Sequence, residues 1–147
     1  MTQTIIAYRT LAREGLDVQT RFEKQLPHVL IDVDQMQQVF FNLLVNADQA
    51  MPAGGVIEIT TRLSEDQHHI KIEVADQGPG LPGDNLNRIF EPFYTTKSKG
   101  TGMGLSIVLH ITHAHQGEVF AVNRDEGGAA LTVSLPAAAD ATRADPG

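Results

Sequence analysis

The feature that most constrains the fold is a long segment with helical spacing of its apolar residues, from about Asp34 to Met51. Asp32 or Asp34 can cap its start, and Pro52 followed by a glycine pair stops it. The apolar residues fall on one face of the predicted helix: Met36, Val39, Phe40, Leu43, Leu44 and Ala47. A helix with one apolar face packs that face against another layer of structure.

Alternating apolar and polar residues predict strands on both sides of this helix. Strands are expected near residues 16–22, as a half-buried strand, and then near 57–63, 70–74, 118–122 and 129–135. A short extended segment is expected at residues 29–31. A second helix is predicted from about Met103 to His115, and its apolar face consists of Ile107, Val108, Ile111 and Ala114. This order predicts an antiparallel or mixed sheet covered on one face by helices.

The 147 residues fit one domain, which we place at residues 16–136. Residues 1–15 are interpreted as a linker or helix remnant, and residues 137–147 as a disordered tail. No apolar run approaches the roughly 20 residues that a membrane span needs, so no direct membrane contact is expected. The net charge of −7 argues against a nucleic-acid partner, and the absence of cysteine fits a reducing cytoplasm.

Two asparagines stand inside the first predicted helix although asparagine is a mediocre helix former. Asn42, Asn46 and Gln49 are spaced i, i+4 and i+7, so they share a face that lies largely away from the apolar one. A solvated polar face is one interpretation. The other is a cation site, because an amide carbonyl is a hard oxygen ligand and magnesium often takes few protein ligands beside water and phosphate.

The segment "VADQGPGLP" places an aspartate at the end of a predicted strand, before two glycines. Asp76 with Gly78 and Gly80 could form a plain turn. Alternatively, the bare glycines let a flat ligand lie against the backbone while the carboxylate accepts a hydrogen bond. The 6-amino group of adenine is a suitable donor, whereas guanine presents a carbonyl there, and facing two acceptors is costly.

The segment "KSKGTGMGL" is a glycine-rich loop before the second helix. Gly100, Gly102 and Gly104 can present backbone N–H groups to an anion, and Lys97 and Lys99 lie beside them. The loop fails the dinucleotide-binding pattern, because Leu105 stands where the third glycine is required, and it lacks the Gly-Lys-Ser/Thr of a P-loop. It closes a long irregular stretch that begins at Gln77, and such stretches in compact domains are usually functional, typically lids.

Taken together, these segments resemble the catalytic, ATP-binding domain of two-component sensor histidine kinases, within the gyrase and heat-shock-chaperone-like ATPase superfamily. "DQMQQVFFNLLVNADQAM" is similar to the N box, "DQGPGLP" to the first glycine box, "RIFEPFYTTK" to the F box and "GTGMGLSIV" to the second glycine box. They occur in the family order, and the resemblance covers roughly residues 16–135. "NADQAMPAGG" and "EPFYTTKSKGTGMGL" look most like the nitrogen-regulation subgroup.

The resemblance implies an α+β fold of the Bergerat type: a two-layer α/β sandwich with a mixed, mostly antiparallel sheet and a mobile ATP lid. It implies that Asn46 binds Mg²⁺, that Asn42 faces the phosphates and that Asp76 holds adenine in a pocket shaped by Gly78 and Gly80. It further implies that residues of the F box and second glycine box anchor the lid or lie near ATP: Phe90, Phe93, Lys97, Lys99, Gly100, Thr101, Gly102, Gly104 and Leu105. Phe90 and Phe93 could equally be ordinary core residues.

The resemblance also bears on the reaction. In the ATP-hydrolysing relatives a glutamate stands one turn before the magnesium asparagine, but this chain has Asn42, which cannot act as a base. This difference favours phosphoryl transfer to a neutral imidazole, with catalysis chiefly by positioning and charge neutralisation. The family's acceptor histidine is usually followed by an acidic residue, and none of the six histidines here is. We therefore expect a histidine kinase catalytic domain that is incomplete without a separate dimerisation and acceptor domain.

The implied partners are ATP, the acceptor domain of a parent kinase and a response regulator; the isolated domain is expected to be monomeric and cytoplasmic, whether or not its parent is membrane-anchored. Two alternatives remain open: a serine kinase of the anti-sigma-factor type, which shares the fold, and a non-catalytic nucleotide-binding module. The run "HITHAH" suggests a metal site at His110, His113 and His115, but His115 points away from the other two, so this interpretation is disfavoured.

Overall fold

The computed structural model describes residues 16–83, 86–91 and 104–137. These residues contain a five-stranded sheet with the spatial order β1-β2-β3-β5-β4. Its strands are β1 (Leu16–Phe22), β2 (Gly55–Leu63), β3 (His69–Ala75), β4 (Glu118–Asn123) and β5 (Ala129–Pro136). The described helices are α1 (Val33–Ala50), a short 3-10 helix (Leu86–Phe90) and α2 (Gly104–Ala114). The α+β class and the mixed sheet predicted from the sequence are confirmed.

Strands β1 and β2 run parallel, whereas the other neighbouring pairs are antiparallel. A parallel pair needs a crossover connection, and α1 supplies it. The helix begins where predicted, because the side chain of Asp32 accepts a hydrogen bond from Gln35 N at 3.0 Å and caps the first turn. It ends at Ala50, ahead of Pro52. The crossover lays α1 across the sheet with its apolar face inward.

The core lies between the helices and one face of the sheet. All six residues of the predicted apolar face of α1 are buried, and they pack with Ile57 and Ile59 of β2 and with Ile72 and Val74 of β3. On the alternate positions of the same strands stand polar residues such as Thr60, Lys71 and Glu73, which are only partly buried. The sheet therefore has one covered face and one polar face, which makes the fold a two-layer sandwich.

Three expectations about individual elements were wrong. In β1 only Val18 is buried, and Phe22 is 41% exposed, because β1 is an edge strand with β2 as its sheet neighbour. The apolar face of α2 is shifted: Val108, Ile111 and Thr112 are buried and Ala114 is exposed. Residues 29–31 are not part of the sheet, and the extended conformation expected there stays a prediction. The long irregular stretch after Gln77 contains the 3-10 helix Leu86–Phe90, which the sequence pattern did not indicate.

None of the helices among the described residues has both the length and the apolar character required to cross a bilayer.

Candidate nucleotide-binding site

Asp76 follows the last residue of β3 and is only 2% exposed. Its Oδ1 accepts hydrogen bonds from Gly78 N at 2.9 Å and from Ala129 N at 3.2 Å. Its backbone N–H donates to the Ala129 carbonyl at 2.9 Å. The sheet therefore fixes both the backbone and one carboxylate oxygen of Asp76. A buried carboxylate held in this way is a built acceptor, which a plain surface turn would not need.

The loop after Asp76 packs against the end of α1. A Cβ atom added at Gly78 would lie 2.5 Å from the Ala50 carbonyl oxygen, so only glycine permits this approach. Gly80 follows with φ of 85° and leads into Leu81. The contact brings the first glycine-rich loop to the end of the helix that carries the two asparagines. Two segments that are 25 or more residues apart in sequence thus border one region.

Asn42 and Asn46 are both half-buried on α1. The side-chain Nδ2 of Asn42 donates to the carbonyl oxygen of Gly104, the first residue of α2, at 3.3 Å. Asn46 lies one helical turn closer to the loop after Asp76. The polar face of α1 therefore borders the beginning of α2, where Leu105 is also half-buried. This arrangement joins three of the four segments that the sequence analysis singled out.

Phe90 ends the 3-10 helix and is 2% exposed, within the hydrophobic core. The helix is fixed to the sheet because Asn87 Oδ1 accepts a hydrogen bond from Ala121 N at 3.1 Å. The structure therefore places Phe90 in the core, which is compatible with anchoring the segment that follows. The other predicted site residues of this segment lie outside the described residues and stay predictions: Phe93, Lys97, Lys99, Gly100, Thr101 and Gly102.

Among the described residues of this site, the side-chain amide oxygens of Asn42 and Asn46 are candidate ligands for a cation. In the described part of the chain, no group of three or more His, Asp or Glu side chains could hold a metal ion. The half-buried amide of Asn46 lies on the α1 face that borders α2, and its oxygen is a hard neutral ligand. This donor set fits Mg²⁺, which retains several waters and takes phosphate oxygens alongside one or two protein ligands. It does not fit a metal held entirely by protein side chains.

The ring of His115 makes hydrogen bonds within the fold and is not available as the metal ligand that the run "HITHAH" suggested. Its Nε2 accepts a hydrogen bond from Asp32 N at 3.0 Å, and its Nδ1 lies 2.8 Å from the Ile111 carbonyl oxygen. Because Nε2 is an acceptor, the neutral ring carries its proton on Nδ1 and donates it to that carbonyl. His113 instead lies 3.7 Å from Glu118 at the surface. The histidine ring thus ties the end of α2 to the beginning of α1.

Sequence reasoning missed the contribution of the turn between β4 and β5. No role was predicted for this turn, yet Arg124 donates to the Asp76 carbonyl at 2.8 Å and Asn123 bonds the backbone of Leu81. Gly128 also reaches Asp76, since an added Cβ would lie 2.0 Å from the Asp76 carbonyl oxygen. The glycine pair in "NRDEGG" was the one available signal of a close approach, and it does not reveal which segment is approached.

Comparisons with known proteins agree with this geometry. A family model described as "Histidine kinase-, DNA gyrase B-, and HSP90-like ATPase" matches residues 31–139. The chain is 42% identical over 122 residues to sporulation kinase A of Bacillus subtilis, covering 83% of this chain and 20% of that protein. It is 38% identical over 128 residues to the sensory histidine kinase/phosphatase NtrB of Rhodobacter capsulatus, covering 80% of this chain and 36% of NtrB.

Solved structures show the same fold. The catalytic domain of the histidine kinase ThkA, in a nucleotide-free form, superposes with a TM-score of 0.81 at 29% identity, covering 92% of this chain and 89% of that one. The chain spans about a fifth of sporulation kinase A and about a third of NtrB, so the match concerns one domain of those longer kinases.

Proposed function

Because the chain belongs to the family of histidine kinase-, DNA gyrase B- and HSP90-like ATPases, we propose that it binds Mg-ATP and donates the γ-phosphoryl group to a histidine on a separate domain. Within that family it is an ATP-binding catalytic domain of the sensor histidine kinase type, related to sensors that include NtrB. What we propose beyond this is the histidine acceptor, the binding of Mg²⁺ and the role of each site residue.

The observation that carries the proposal is the buried, sheet-held carboxylate of Asp76 beside the polar face of α1. Its Oδ1 receives two backbone N–H groups, so the hydrogen bond to the adenine 6-amino group is assigned to Oδ2. The loop with Gly78 and Gly80 brings bare backbone to the base. An acceptor fixed in this way favours adenine over bases that carry a carbonyl at the same position.

The triphosphate would then extend toward Asn42, Asn46 and the first turn of α2. The N-terminal end of a helix attracts anions through its unpaired N–H groups and its dipole, and Gly104 and Leu105 begin α2. Asn46 would hold Mg²⁺, which neutralises phosphate charge when bound. Lys97, Lys99 and the glycines Gly100 and Gly102, with Thr101, are proposed to complete the phosphate contacts as a lid. Phe90 and Phe93 would anchor that lid to the core.

The proposed reaction is an in-line transfer. The lone pair of a neutral imidazole nitrogen forms a P–N bond to the γ-phosphorus as the bond between that phosphorus and the β,γ-bridging oxygen breaks. ADP leaves with the electron pair of the broken bond. Asn42 stands near the phosphates without offering a carboxylate to activate water, so the site favours transfer over hydrolysis. The residues of this chain position and neutralise the phosphates, and the acceptor imidazole supplies the nucleophile.

The partners follow from this reaction. We propose that the acceptor histidine belongs to the dimerisation domain of a parent kinase and that a response regulator receives the phosphoryl group afterwards. The domain itself would act as a monomer in the cytoplasm, where ATP is available, including in a parent protein with a membrane anchor.

The decisive experiment mixes this domain with a candidate dimerisation and acceptor domain and with γ-labelled ATP. Histidine phosphorylation gives acid-labile, base-stable label on the partner, and the label disappears when the acceptor histidine is replaced by glutamine. Acid-stable label would instead identify a serine kinase. Tight ATP binding without label on any candidate acceptor would identify a non-catalytic nucleotide-binding module. Either of these last two outcomes contradicts the proposal.

A further inference from the structure

The segment that joins β4 to β5 contacts both ends of the loop that follows β3. The two contacts come from consecutive residues, Asn123 and Arg124, which we call the turn clamp. Asn123 is the last residue of β4 and Arg124 is the first residue after it. The loop it contacts begins at Asp76 and reaches Leu81. The turn clamp lies outside the four sequence segments that suggested a nucleotide site.

Arg124 holds the backbone of Asp76. Its Nη1 donates to the Asp76 carbonyl oxygen at 2.8 Å. The guanidinium is itself held by carboxylates, since Nη2 lies 2.8 Å from Glu126 and 3.7 Å from Glu58. The Arg124 side chain is only 16% exposed. A planar guanidinium fixed on several sides is a rigid donor, so its hydrogen bond restrains the orientation of the peptide group after Asp76.

The Asp76 carbonyl needs a donor because the ladder between β3 and β5 ends there. The last paired residues are Ala75 and Ala130, and Asp76 N still donates to Ala129 O. Gly128 lies against the Asp76 carbonyl, and its positive φ of 88° turns the chain away from strand geometry. Buried backbone carbonyls are almost always paired, and Arg124 supplies that pairing from a side chain. Arg124 therefore restrains the Asp76 carbonyl, in addition to the hydrogen bonds that hold the N–H and the Oδ1 of Asp76.

Asn123 holds the other end of the loop. Its Oδ1 accepts from Leu81 N at 2.7 Å, and its Nδ2 donates to the Leu81 carbonyl at 3.0 Å. The side-chain amide of Asn123 thus makes the same pair of hydrogen bonds to Leu81 that the backbone of a neighbouring strand residue would make. The loop between Asp76 and Leu81, which includes Gly78 and Gly80, is thus fixed at both ends by one short turn.

We propose that the turn clamp is a positioning element for base recognition, through which Arg124 aims the Asp76 carboxylate at the 6-amino group of adenine. The inference rests on the proposed role of Asp76. Arg124 and Asn123 act through the loop and do not touch the nucleotide. The consequence is specific: loss of Arg124 weakens the contact that distinguishes a 6-amino purine from a 6-oxo purine, and it leaves the phosphate contacts intact.

The test compares Mg-ATP and Mg-ITP affinity by calorimetry, because ITP carries the same phosphates with a carbonyl at the purine 6-position. Arg124→Ala should bind ATP about tenfold more weakly, which is about 1.4 kcal/mol. Its ITP affinity should change less than about twofold, so the ATP/ITP ratio falls. Arg124→Lys, which keeps a cationic donor, should recover part of the ratio. Arg62→Ala, at an exposed arginine on β2, is the matched control and should change neither affinity.

Asp76→Asn in the same titrations separates the two hypotheses. If Asp76→Asn retains normal ATP affinity, the proposed adenine contact fails. If Asp76→Asn weakens ATP binding but Arg124→Ala does not, only the turn clamp is refuted. Equal losses for ATP and ITP in Arg124→Ala would also refute it, because a merely structural defect affects both nucleotides alike. Adding Arg124→Ala to Asp76→Asn should cause little further loss, since residues that act through one contact are not additive.

A second variant covers the case in which Arg124→Ala does not fold. Asn123→Ala leaves the pairs of Arg124 with Glu58 and Glu126 in place, and circular dichroism with thermal unfolding establishes whether it folds. It should lower the ATP/ITP ratio by about threefold, in line with the loss of neutral hydrogen bonds at an exposed side chain. An unchanged ratio in folded Asn123→Ala would remove that residue from the positioning element.

Discussion

The two ends of the candidate nucleotide site are held in different ways. At the end proposed for adenine, Asp76 is 2% exposed, and its carboxylate, N–H and carbonyl are all hydrogen-bonded: to β5, to the loop that follows Asp76 and to the turn that precedes β5. At the end proposed for the phosphates, one link between α1 and α2 is the amide hydrogen bond from Asn42 to Gly104, at 3.3 Å. Both asparagines there are half-buried.

The sheet preforms the end of the site proposed for adenine, whereas bound phosphates and Mg²⁺ would complete the other end. A carboxylate with fixed partners loses little freedom on binding, so base recognition is preorganised. At the phosphate end, the contact between the middle of α1 and the start of α2 is a long neutral hydrogen bond, which can adjust to phosphates and Mg²⁺. Base selectivity is therefore expected to belong to the fold itself, whereas phosphate binding depends on added charge. The predictions below test this contrast.

The largest effect is expected from Asn46→Ala. Removing the proposed Mg²⁺ ligand should lower phosphoryl transfer by at least about 100-fold, the scale seen when a group that stabilises transition-state charge is lost. ATP affinity of the variant should no longer respond to Mg²⁺ in calorimetric titrations. Gln38→Ala, the same kind of change at an exposed site on α1, is the control. Normal transfer and an unchanged Mg²⁺ response would eliminate Asn46 as the ligand.

Asp76→Asn should act at the other end in a different way. The variant keeps a similar shape but can turn an amide toward the adenine amino group, so ATP binding should weaken by about 1.5–3 kcal/mol, the range for hydrogen bonds to charged groups. The loss should be the same with Mg²⁺ and with a chelator, because the base contact does not involve the phosphates. A loss that appears only with Mg²⁺ would show that the adenine end and the phosphate end do not bind ATP independently.

The elements of the fold could be predicted from the sequence because their signals are local. The six apolar positions of α1 repeat with the helical period, and all six are buried. The alternation in β2 and β3 likewise located an antiparallel pair. Local signals failed where burial depends on distant packing. Thr112 is buried on α2 while Ala114 is exposed, because the sheet decides which side of the helix is covered.

The candidate site divides in the same manner. Asp76, Asn42 and Asn46 could be proposed as site residues from the sequence because each belongs to a motif with a recognisable spacing. Arg124 and Asn123 were not found, since they act on Asp76 and Leu81 from 42 or more residues away along the chain. The pairing of β5 with both β3 and β4 brings them together. The sequence of a motif does not indicate which residues elsewhere in the chain hold it in position.

Two adjacent glycines test how strictly the fold builds the adenine end. Gly127 and Gly128 both have positive φ, at 104° and 88°. An added Cβ meets nothing within 4 Å at Gly127, but it would lie 2.0 Å from the Asp76 carbonyl oxygen at Gly128. Gly127→Ala should therefore lower the free energy of unfolding through backbone strain alone. Gly128→Ala should lower it by a further ~1–3 kcal/mol, the cost of overpacking. Chemical denaturation should show this difference in the free energy of unfolding, and equal values would contradict the close approach.

The smallest effect concerns Asp66, which shares a local motif with Asp76. In each case Oδ1 accepts the backbone N–H two residues later, at 2.9 Å. Asp66 lies in the turn between β2 and β3, and its side chain is 58% exposed. A hydrogen bond from Ser64, with one from His68 N, lowers the pKa of Asp66 to about 2. Asp66→Asn should change ATP affinity by less than about twofold, because Asp66 lies at the opposite end of β3 from Asp76.

The Asp66 pKa itself can be checked by carboxyl ¹³C titration. Ser64→Ala should raise it from about 2 toward the ordinary 3.8, because the Ser64 hydroxyl is the largest cause of the shift. The pKa of the folded state is the lower one, so the stabilisation is present above about pH 4 and is lost as the pH falls through about 2. Ser106→Ala, on α2, is the control for the serine change. An unaltered pKa in Ser64→Ala would show that the His68 N–H is sufficient. Asp66 would then need only one donor, unlike Asp76, whose Oδ1 accepts hydrogen bonds from both Gly78 N and Ala129 N of β5.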